Sequence, residues 1–340
     1  MRKAIISIFS ILSLTIFIIS SVNAQEQKPP NAVKQEESED EVVRVDTTLV
    51  SVPVRVKNRQ GGYIPNLQAK DFRIFEDDVE QDISHFETTD KPFTVALVLD
   101  MSDSTKIELR EIQNAAIAFL NQLQPADRAL IVAFDKQVIR LTEATGDRKV
   151  LSEAIRRVRT GGGTTLYDAV EILINSYLKQ SGGRKAIVIL TDGIDTSSIR
   201  ATFDSTVRLA AEQYSLIYPI QYNTDNMLDK KVAATDSNLG PTIYTTPSGE
   251  SIRSAFERGN RYLRLLSQTS GGRFYYGDSL KNLERSFAQI ANELRQQYSI
   301  GYYPKNQALK KEKRRIKVRV GVPEGVVKTR ENYIYKPESQ

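Results

Sequence analysis

The sequence predicts an α/β fold with a doubly wound, mostly parallel sheet flanked by helices, joined to a small antiparallel β domain. Between residues 92 and 298, apolar runs of strand length alternate with amphipathic helical stretches. This alternation is typical of parallel strands buried between two layers of helices. Residues 42–91 and 299–340 instead alternate apolar and polar side chains with period two, as half-buried antiparallel strands do. Neither flank is long enough for a full sheet, so we expect the two flanks to pair.

The N-terminus has the features of a secretory signal peptide over residues 1–24. Two basic residues precede an apolar stretch, and small residues end at Ala24. The apolar stretch 4–22 is long for a signal peptide, so a retained N-terminal anchor is the alternative. Either case predicts export, to the periplasm or out of the cell. Residues 25–41 are polar and charged and are predicted to be a disordered linker.

The N-terminal β segment covers residues 42–91. In the stretch VSVPVRV, valines at alternate positions share one face, and Pro53, which lacks an N–H group, indicates an edge strand. The stretch DFRIFEDDVEQDISHF continues the alternation after a Gly-Gly turn. The C-terminal β segment, residues 299–340, shows the same pattern in RRIKVRV. We interpret the preceding run KKEKRR as a solvated hairpin end rather than an anion-binding patch.

The central segment, residues 92–298, contains the α/β alternation. Its buried strands are TVALVLD, RALIVAFD, RKAIVILTDG and LIYPIQY, and QVIRLTEAT is a short edge strand. Its helices are KIELREIQNAAIAFLNQL, DRKVLSEAIRRV, TLYDAVEILINSYLK, TFDSTVRLAAEQYS, NRYLRLLSQTS and SLKNLERSFAQIANELRQQY. The polar stretch 223–258, which contains Gly and Pro, interrupts the alternation and is predicted to be an inserted surface loop.

The composition excludes several classes of site. The chain has no cysteine, so disulfides, thiolate metal sites and cysteine nucleophiles are excluded. Its one histidine, His85, excludes a multi-histidine metal site. A net charge of +5 over 340 residues does not indicate a nucleic-acid partner. After the N-terminus, no segment is apolar enough to predict a membrane span.

Three polar loops follow the predicted strands or lead into a helix. The first contains Asp100, Ser102 and Ser104, the second is GGGTT at residues 161–165, and the third is TDG at residues 191–193. Ligands of open α/β sheets bind at the carboxyl ends of the strands, so we expect these loops to converge there. They would form a cluster of carboxylate and hydroxyl oxygens, which suits a hard divalent cation such as Mg²⁺. Two carboxylates only neutralise the ion, so it can still accept a carboxylate from a partner.

Together the three loops resemble the metal-ion-dependent adhesion site of the von Willebrand factor type A family. DMSDS is similar to that family's D-x-S-x-S, GGGTTLYDAV to its glycine–threonine motif, and LTDG to its third motif. The resemblance implies the family's Rossmann-like fold and a Mg²⁺ site, with Mn²⁺ or Ca²⁺ as alternatives. It implies five ligands: Asp100, Ser102, Ser104, Thr164 and Asp192. By this resemblance Thr164 is preferred to Thr165, because it directly follows the glycines at the family's usual distance from Ala169 and Val170.

The flanks resemble those of bacterial exported proteins with a VWFA-related Acidobacterial domain. The similar stretches are DFRIFEDDVEQDISHF before the central segment and IANELRQQYSIGYYPKN at its end. One departure is Asp78-Val79, where those proteins commonly carry an acid followed by glycine. This difference concerns a turn and does not touch the metal site.

We therefore expect an exported, non-enzymatic binding protein whose metal ion engages an Asp or Glu carboxylate of a protein partner, in adhesion or complex assembly. Two alternatives stay open: an envelope scaffold with a vestigial metal site, and a metal-dependent phosphatase or hydrolase. For the enzyme, DMSDST lacks the second acid of the D-x-D-x-T motif of aspartate-nucleophile phosphatases. Asp103, Asp168 and Asp195 are candidate general bases by proximity in sequence alone. The sequence indicates neither the identity of the partner nor the oligomeric state.

Overall fold

The structure is a computed structural model. It describes residues 49–102, 109–178, 183–222, 245–277, 279–306 and 312–335. The predicted signal peptide and the predicted linker lie outside the described residues.

A six-stranded sheet forms the centre of the fold. Its strands are β5 (Phe93–Asp100), β6 (Arg128–Phe134), β7 (Val138–Arg140), β8 (Arg184–Thr191), β9 (Leu216–Gln221) and β10 (Tyr275–Tyr276). They lie in the order β10-β9-β8-β5-β6-β7, and all are parallel except β7, which is antiparallel to β6. The apolar strands β5, β8 and β9 are almost entirely buried because helices cover both faces of the sheet.

Six α-helices of the described residues flank this sheet. They are α1 (Leu109–Gln122), α2 (Arg148–Arg157), α3 (Leu166–Ile172), α4 (Phe203–Glu212), α5 (Ile252–Ser270) and α6 (Leu280–Arg295). Helices α1, α2 and α6 pack on one face, where the rings of Phe119 and Phe287 lie 5.0 Å apart. Helices α3, α4 and α5 pack on the other face around the buried Tyr262. Within the described residues, no helix is both long and apolar enough to cross a bilayer.

The two flanks of the chain form a second, antiparallel unit. Its strands are β1 (Val50–Lys57), β2 (Phe72–Glu76), β3 (Val79–Gln81), β4 (Ile83–Glu87), β11 (Tyr298–Tyr302), β12 (Glu312–Val320), β13 (Val326–Lys328) and β14 (Asn332–Tyr335). They form two four-stranded sheets, β13-β1-β11-β4 and β14-β12-β2-β3. Each sheet joins early strands to late ones, for example β1 to β11 and β2 to β12. The predicted fold class, including the pairing of the flanks, is confirmed.

Three local predictions differ from the structure. Strand β1 is not an edge strand, because β11 and β13 flank it. Strand β13 pairs only with Arg55–Lys57, so no strand of the described residues pairs with that side of β1 at Pro53. The prediction of a loop over residues 223–258 is wrong for its last residues, because α5 begins at Ile252. The Ser251 hydroxyl caps this helix by accepting a hydrogen bond from the N–H group of Ser254. The end of the run KKEKRR lies in β12, and its Arg314 is buried.

Candidate metal centre

The first and third polar loops meet at the carboxyl edge of the central sheet. Strands β5 and β8 are parallel neighbours, with Leu99 opposite Leu190, so the residues that follow are adjacent in space. Asp100 is the last residue of β5, and Asp192 directly follows β8. Asp100 is 1% exposed and Asp192 is 3% exposed. Two carboxyl groups are therefore buried side by side at this edge.

Hydrogen bonds fix the Asp100 carboxylate from both sides. Its Oδ1 accepts a bond from the N–H group of Ser102 at 3.0 Å, and its Oδ2 accepts one from the Thr191 hydroxyl at 2.6 Å. The Thr191 hydroxyl in turn accepts a bond from the N–H group of Gly193 at 3.0 Å. Thr191 thus links the first loop to the third. It lies in the TDG motif, but no sequence pattern assigns it this role.

Burial and a like charge both disfavour ionised Asp100. Burial is the larger cause and the negative charge of Asp192 is the second, and together they raise the pKa of Asp100 to about 7, although hydrogen bonds from Thr191 and Ser102 oppose the rise. No ion pair between described residues involves Asp100. A cation between the two carboxyl groups would remove the repulsion and favour the ionised form of both.

The glycine–threonine loop is joined to both of these loops. The N–H group of Gly161 donates to the Met101 carbonyl at 2.7 Å, next to Asp100. On the other side, Thr164 donates its N–H to the Thr196 hydroxyl at 3.0 Å, and its carbonyl accepts bonds from the N–H groups of Thr196 and Ser197 at 3.0 and 2.9 Å. Thr164 is therefore held between the residues around Asp100 and those that follow Asp192.

The two threonines of this loop have different partners. The Thr165 hydroxyl and N–H group both donate to the Asp135 carbonyl, at 2.9 and 2.8 Å. The Thr164 hydroxyl forms no hydrogen bond with another described residue. Thr164 is nevertheless buried, at 5% exposed. This difference favours Thr164 over Thr165 as the candidate ligand.

A side chain would crowd its neighbours at two glycine positions of the loop. At Gly161 an added Cβ atom would lie 2.0 Å from Oδ2 of Asp135. Gly163 has a φ of +80°, and an added Cβ atom there would lie 2.6 Å from the Ser197 hydroxyl oxygen. These close approaches allow the loop to lie between its neighbours, so GGG is more than a flexible turn.

The structure brings four of the five predicted ligands to one edge of the sheet. Asp100, Ser102, Thr164 and Asp192 lie in loops joined by the hydrogen bonds above. Ser104 lies outside the described residues. The donor set contains only oxygen atoms, which fits a hard divalent ion. No group of three or more His, Cys, Asp or Glu side chains within the described residues is placed to hold a metal, so two carboxylates with hydroxyls are what this edge offers.

Two of the three aspartates predicted as general bases for an enzyme accept hydrogen bonds from backbone N–H groups instead. The Asp168 carboxylate accepts bonds from three consecutive N–H groups, those of residues 199–201, at 3.1, 3.0 and 2.8 Å. The Asp195 carboxylate accepts bonds from the N–H groups of Tyr167 and Ser198 at 3.1 and 3.3 Å, and from the Ser198 hydroxyl. Both aspartates thus fix the loop after β8 against the start of α3. Asp103 lies outside the described residues.

Two residues missed by the sequence reasoning support Asp192. Gln221, at the end of β9 and fully buried, donates from Nε2 to the Asp192 carbonyl at 2.7 Å and accepts a bond from Asn260 at 2.6 Å. Gly259 of α5 contacts Gly193, so that a Cβ atom added at Gly259 would lie 2.4 Å from the Gly193 carbonyl oxygen. The sequence signal for Gly259 is a glycine inside an amphipathic helix, which often marks a close backbone approach.

Part of the central segment is similar to a known domain family. Residues 95–194 match the family model of the von Willebrand factor type A domain. An uncharacterized protein of Synechocystis sp. is 28% identical over 106 residues, which cover 30% of this chain and 25% of that protein. The match thus spans about a quarter of the length of this relative.

Several solved structures are similar in fold. The vWF domain of the type V pili tip protein Mfa5 from Porphyromonas gingivalis is 14% identical, with a TM-score of 0.42 over 59% of this chain and 94% of that chain. A von Willebrand factor type A protein from Catenulispora acidiphila is 10% identical, with a TM-score of 0.47 over 79% of this chain and 74% of that chain. Proximal thread matrix protein 1 from the mussel byssus, with a zinc-occupied MIDAS motif, is 13% identical, with a TM-score of 0.47 over 64% of this chain and 49% of that chain.

Proposed function

We propose that this chain, which contains a von Willebrand factor type A domain, is an exported, non-enzymatic protein that binds a divalent cation and through it a carboxylate of a protein partner. The observation that carries the proposal is the pair Asp100 and Asp192. Two carboxyl groups are buried together at the carboxyl edge of the sheet, where one of them has a pKa near 7. A bound cation relieves this unfavourable arrangement, whereas a purely structural role gives no reason for it.

The ion would be held by the five residues of the predicted set: Asp100, Ser102, Ser104, Thr164 and Asp192. Mg²⁺ is the first candidate, and Mn²⁺ and Ca²⁺ also suit oxygen donors. When bound, such an ion supplies a positive centre that can accept one more oxygen ligand. Because only two of the protein's donors are charged, a carboxylate from another molecule is a suitable additional ligand. Thr191 and Gln221 would keep the loops in place while the partner binds.

The partner is proposed to be a protein met outside the cytoplasm. The signal-like N-terminus favours export, and metal-bridged binding of an Asp or Glu side chain suits adhesion or assembly of a complex. The hydrogen bonds of Asp168 and Asp195 support a binding role over catalysis, because both carboxylates already accept several bonds from the backbone.

Calorimetric titration with Mg²⁺ and with Mn²⁺ tests the metal site on residues 25–340. We expect saturable binding by the wild type and none by Asp100→Ala/Asp192→Ala. The matched control is Glu143→Ala/Glu153→Ala, which removes two carboxylates from the exposed surface. Because a partner's carboxylate can complete the coordination shell, the titrations are repeated with millimolar acetate. If the wild type binds neither ion in either condition, the metal-bridged function is wrong and the scaffold alternative takes its place.

A further inference from the structure

The rim of the candidate metal centre must distinguish one partner from another. A contact between a metal ion and a carboxylate is available to every carboxylate, acetate included, so it gives affinity without selectivity. Selectivity has to come from side chains around the ion. Two exposed side chains of the described residues, those of Lys136 and Ile199, lie next to the loops that hold Thr164.

Ile199 is an exposed apolar residue on a fixed backbone. Its exposed fraction is 91%, the largest among the exposed large apolar residues of the described part of the chain. Single exposed apolar side chains are common and need no explanation by themselves. Ile199 differs because the N–H groups of residues 199–201 all donate to the Asp168 carboxylate, which is itself 5% exposed. Because this backbone is already fixed, a partner that covers Ile199 has to order only its side chain and not the loop.

The position of Ile199 connects it to the metal centre. The N–H groups of Thr196 and Ser197 donate to the carbonyl of Thr164, and Ile199 follows Thr196 by three residues. Three Cα steps span at most about 11 Å, so the Ile199 backbone lies within that distance of Thr196. A short peptide segment that places a carboxylate on the ion can therefore also reach Ile199.

Lys136 lies next to the same loop. A Cβ atom added at Gly163, which directly precedes Thr164, would lie 2.8 Å from Cγ and 3.3 Å from Cε of Lys136. The Lys136 side chain thus crosses the loop beside Thr164. The residue is exposed, and no ion pair between described residues includes it. The carboxylate of its neighbour Asp135 accepts a bond from the N–H group of Gln137 at 2.8 Å and lies against Gly161.

We infer that the partner of the metal centre is an acidic peptide segment that also carries an apolar side chain. One carboxylate binds the ion, a second acidic group pairs with Lys136, and the apolar side chain packs on Ile199. This inference rests on the proposed function. Covering about half of an isoleucine side chain contributes about tenfold in affinity. An exposed ion pair contributes at most about fivefold.

Capped hexapeptides on the full chain test the inference by calorimetry in excess Mn²⁺. The reference peptide contains one Asp among glycines. A second series adds a Leu one to four residues before or after the Asp, and a third adds a second Asp at the same positions. The variants are Ile199→Ser and Lys136→Gln, with Val150→Ser on α2 as the control for an exposed apolar residue. Direct Mn²⁺ titration must give the same affinity for all three variants and the wild type.

The expected result separates the two rim residues. At least one Leu peptide binds the wild type about tenfold tighter than the reference, and only Ile199→Ser abolishes this gain. At least one two-Asp peptide also gains affinity, and only Lys136→Gln abolishes that gain. The inference is overturned if the reference peptide binds in a metal-dependent way but no position of the Leu or of the second Asp increases the affinity. The proposed function then still stands. If the reference shows no Mn²⁺-dependent binding, the proposed function itself fails. Loss of reference binding in Ile199→Ser would show a structural role and also overturn the inference.

Discussion

Arg55 of β1 and Glu293 of α6 form a buried ion pair between the antiparallel unit and the α/β domain, although 238 residues separate them in sequence. Arg55 also donates to the carbonyl of Gly271 at 2.8 Å and to the Tyr218 hydroxyl at 3.3 Å. Glu293 accepts a second bond from Arg273 at 3.0 Å. The pair therefore ties the first strand of the flanks to the last helix and the sheet of the central domain.

Removing one partner of this pair is expected to destabilise the protein strongly. Glu293→Ala leaves the Arg55 charge buried with only neutral partners, and such changes cost about 3–5 kcal/mol. Replacing both residues by apolar ones, Arg55→Met with Glu293→Leu, should cost much less because no charge stays buried. Urea unfolding followed by far-UV circular dichroism measures the free energies.

The exposed helical pair Arg157 and Glu153 provides the control for this prediction. Its side chains are 79% and 48% exposed, so Glu153→Ala should leave the free energy of unfolding almost unchanged. Equal destabilisation by Glu153→Ala and Glu293→Ala would show that burial of the Arg55–Glu293 pair has no energetic consequence.

The sequence predicted which face of β1 is apolar but not what covers the opposite face. Valines at alternate positions identify one buried face, and Arg55 falls on the other, where a solvated side chain is the usual expectation. Arg55 is nevertheless only 8% exposed, because the central domain covers that face. The packing of one unit on another depends on tertiary geometry, and no local pattern encodes it.

The residues of the candidate site also fall into two groups, those that local sequence information places and those that only the structure reveals. The placement of Asp100, Thr164 and Asp192 at the carboxyl edge was predictable because the polar loops that carry them follow a strand or a run of glycines, which is local information. The contact of Thr191 with Asp100 depends on the register of β8 against β5, and that of Gln221 with Asp192 on the position of β9 beside β8. Register and strand order are set by long-range packing, so these supporting residues could be found only in the structure.

The stability of the metal-free protein should fall as pH rises through the range in which Asp100 ionises. Its pKa is about 7 in the folded protein and about 4 in an unfolded chain. Protonated Asp100 therefore favours folding fully below pH 4, and this contribution is lost as pH rises to about 7. The loss is at most about 4 kcal/mol. Melting in chelator between pH 4.5 and 8 measures it.

Replacing Asp100 by a neutral residue should remove this pH dependence and the response to metal. We expect Asp100→Asn in chelator to be at least as stable as the wild type at pH 8, because no buried charge forms. Excess Mn²⁺ should raise the melting temperature of the wild type more at pH 8 than at pH 5.5, since protons compete with the ion, and should not affect the variant. A wild type that melts higher at pH 8 than Asp100→Asn in chelator would contradict the prediction.

Replacing Gly259 by alanine should lower the affinity of the metal centre, although Gly259 is not a ligand. In an exposed helix, Gly→Ala stabilises by about 1 kcal/mol. In α5 the new Cβ atom would lie 2.4 Å from the carbonyl oxygen of Gly193, so the loop after Asp192 has to shift. We expect Gly259→Ala to lower both the melting temperature and the affinity for Mn²⁺, measured by calorimetry. Gln268→Ala, at an exposed position of the same helix, should change neither, and an unaltered Mn²⁺ affinity in Gly259→Ala would disprove the coupling.

Glu76 should be the residue on which the antiparallel unit depends most. It is 3% exposed and accepts bonds from Arg314 and from the hydroxyls of Tyr302 and Tyr333, at 2.7, 2.7 and 2.6 Å. Strand β2 of the N-terminal flank is thereby bonded to β11, β12 and β14 of the C-terminal flank. In Glu76→Gln the Arg314 charge loses its buried counterion, so we expect amide hydrogens of β2 and β12 to exchange faster, as measured by mass spectrometry.

The central domain has its own core, so exchange in β5 and β8 and the affinity for Mn²⁺ should stay at wild-type values in Glu76→Gln. Glu80→Gln is the control, because Glu80 pairs with Arg73 on the exposed side of the same sheet. This substitution should leave hydrogen exchange in both units unchanged. Faster exchange in β5 and β8 as well would show that the two units unfold together. In that case the Arg55–Glu293 pair would join them into one cooperative unit rather than link two separately stable ones.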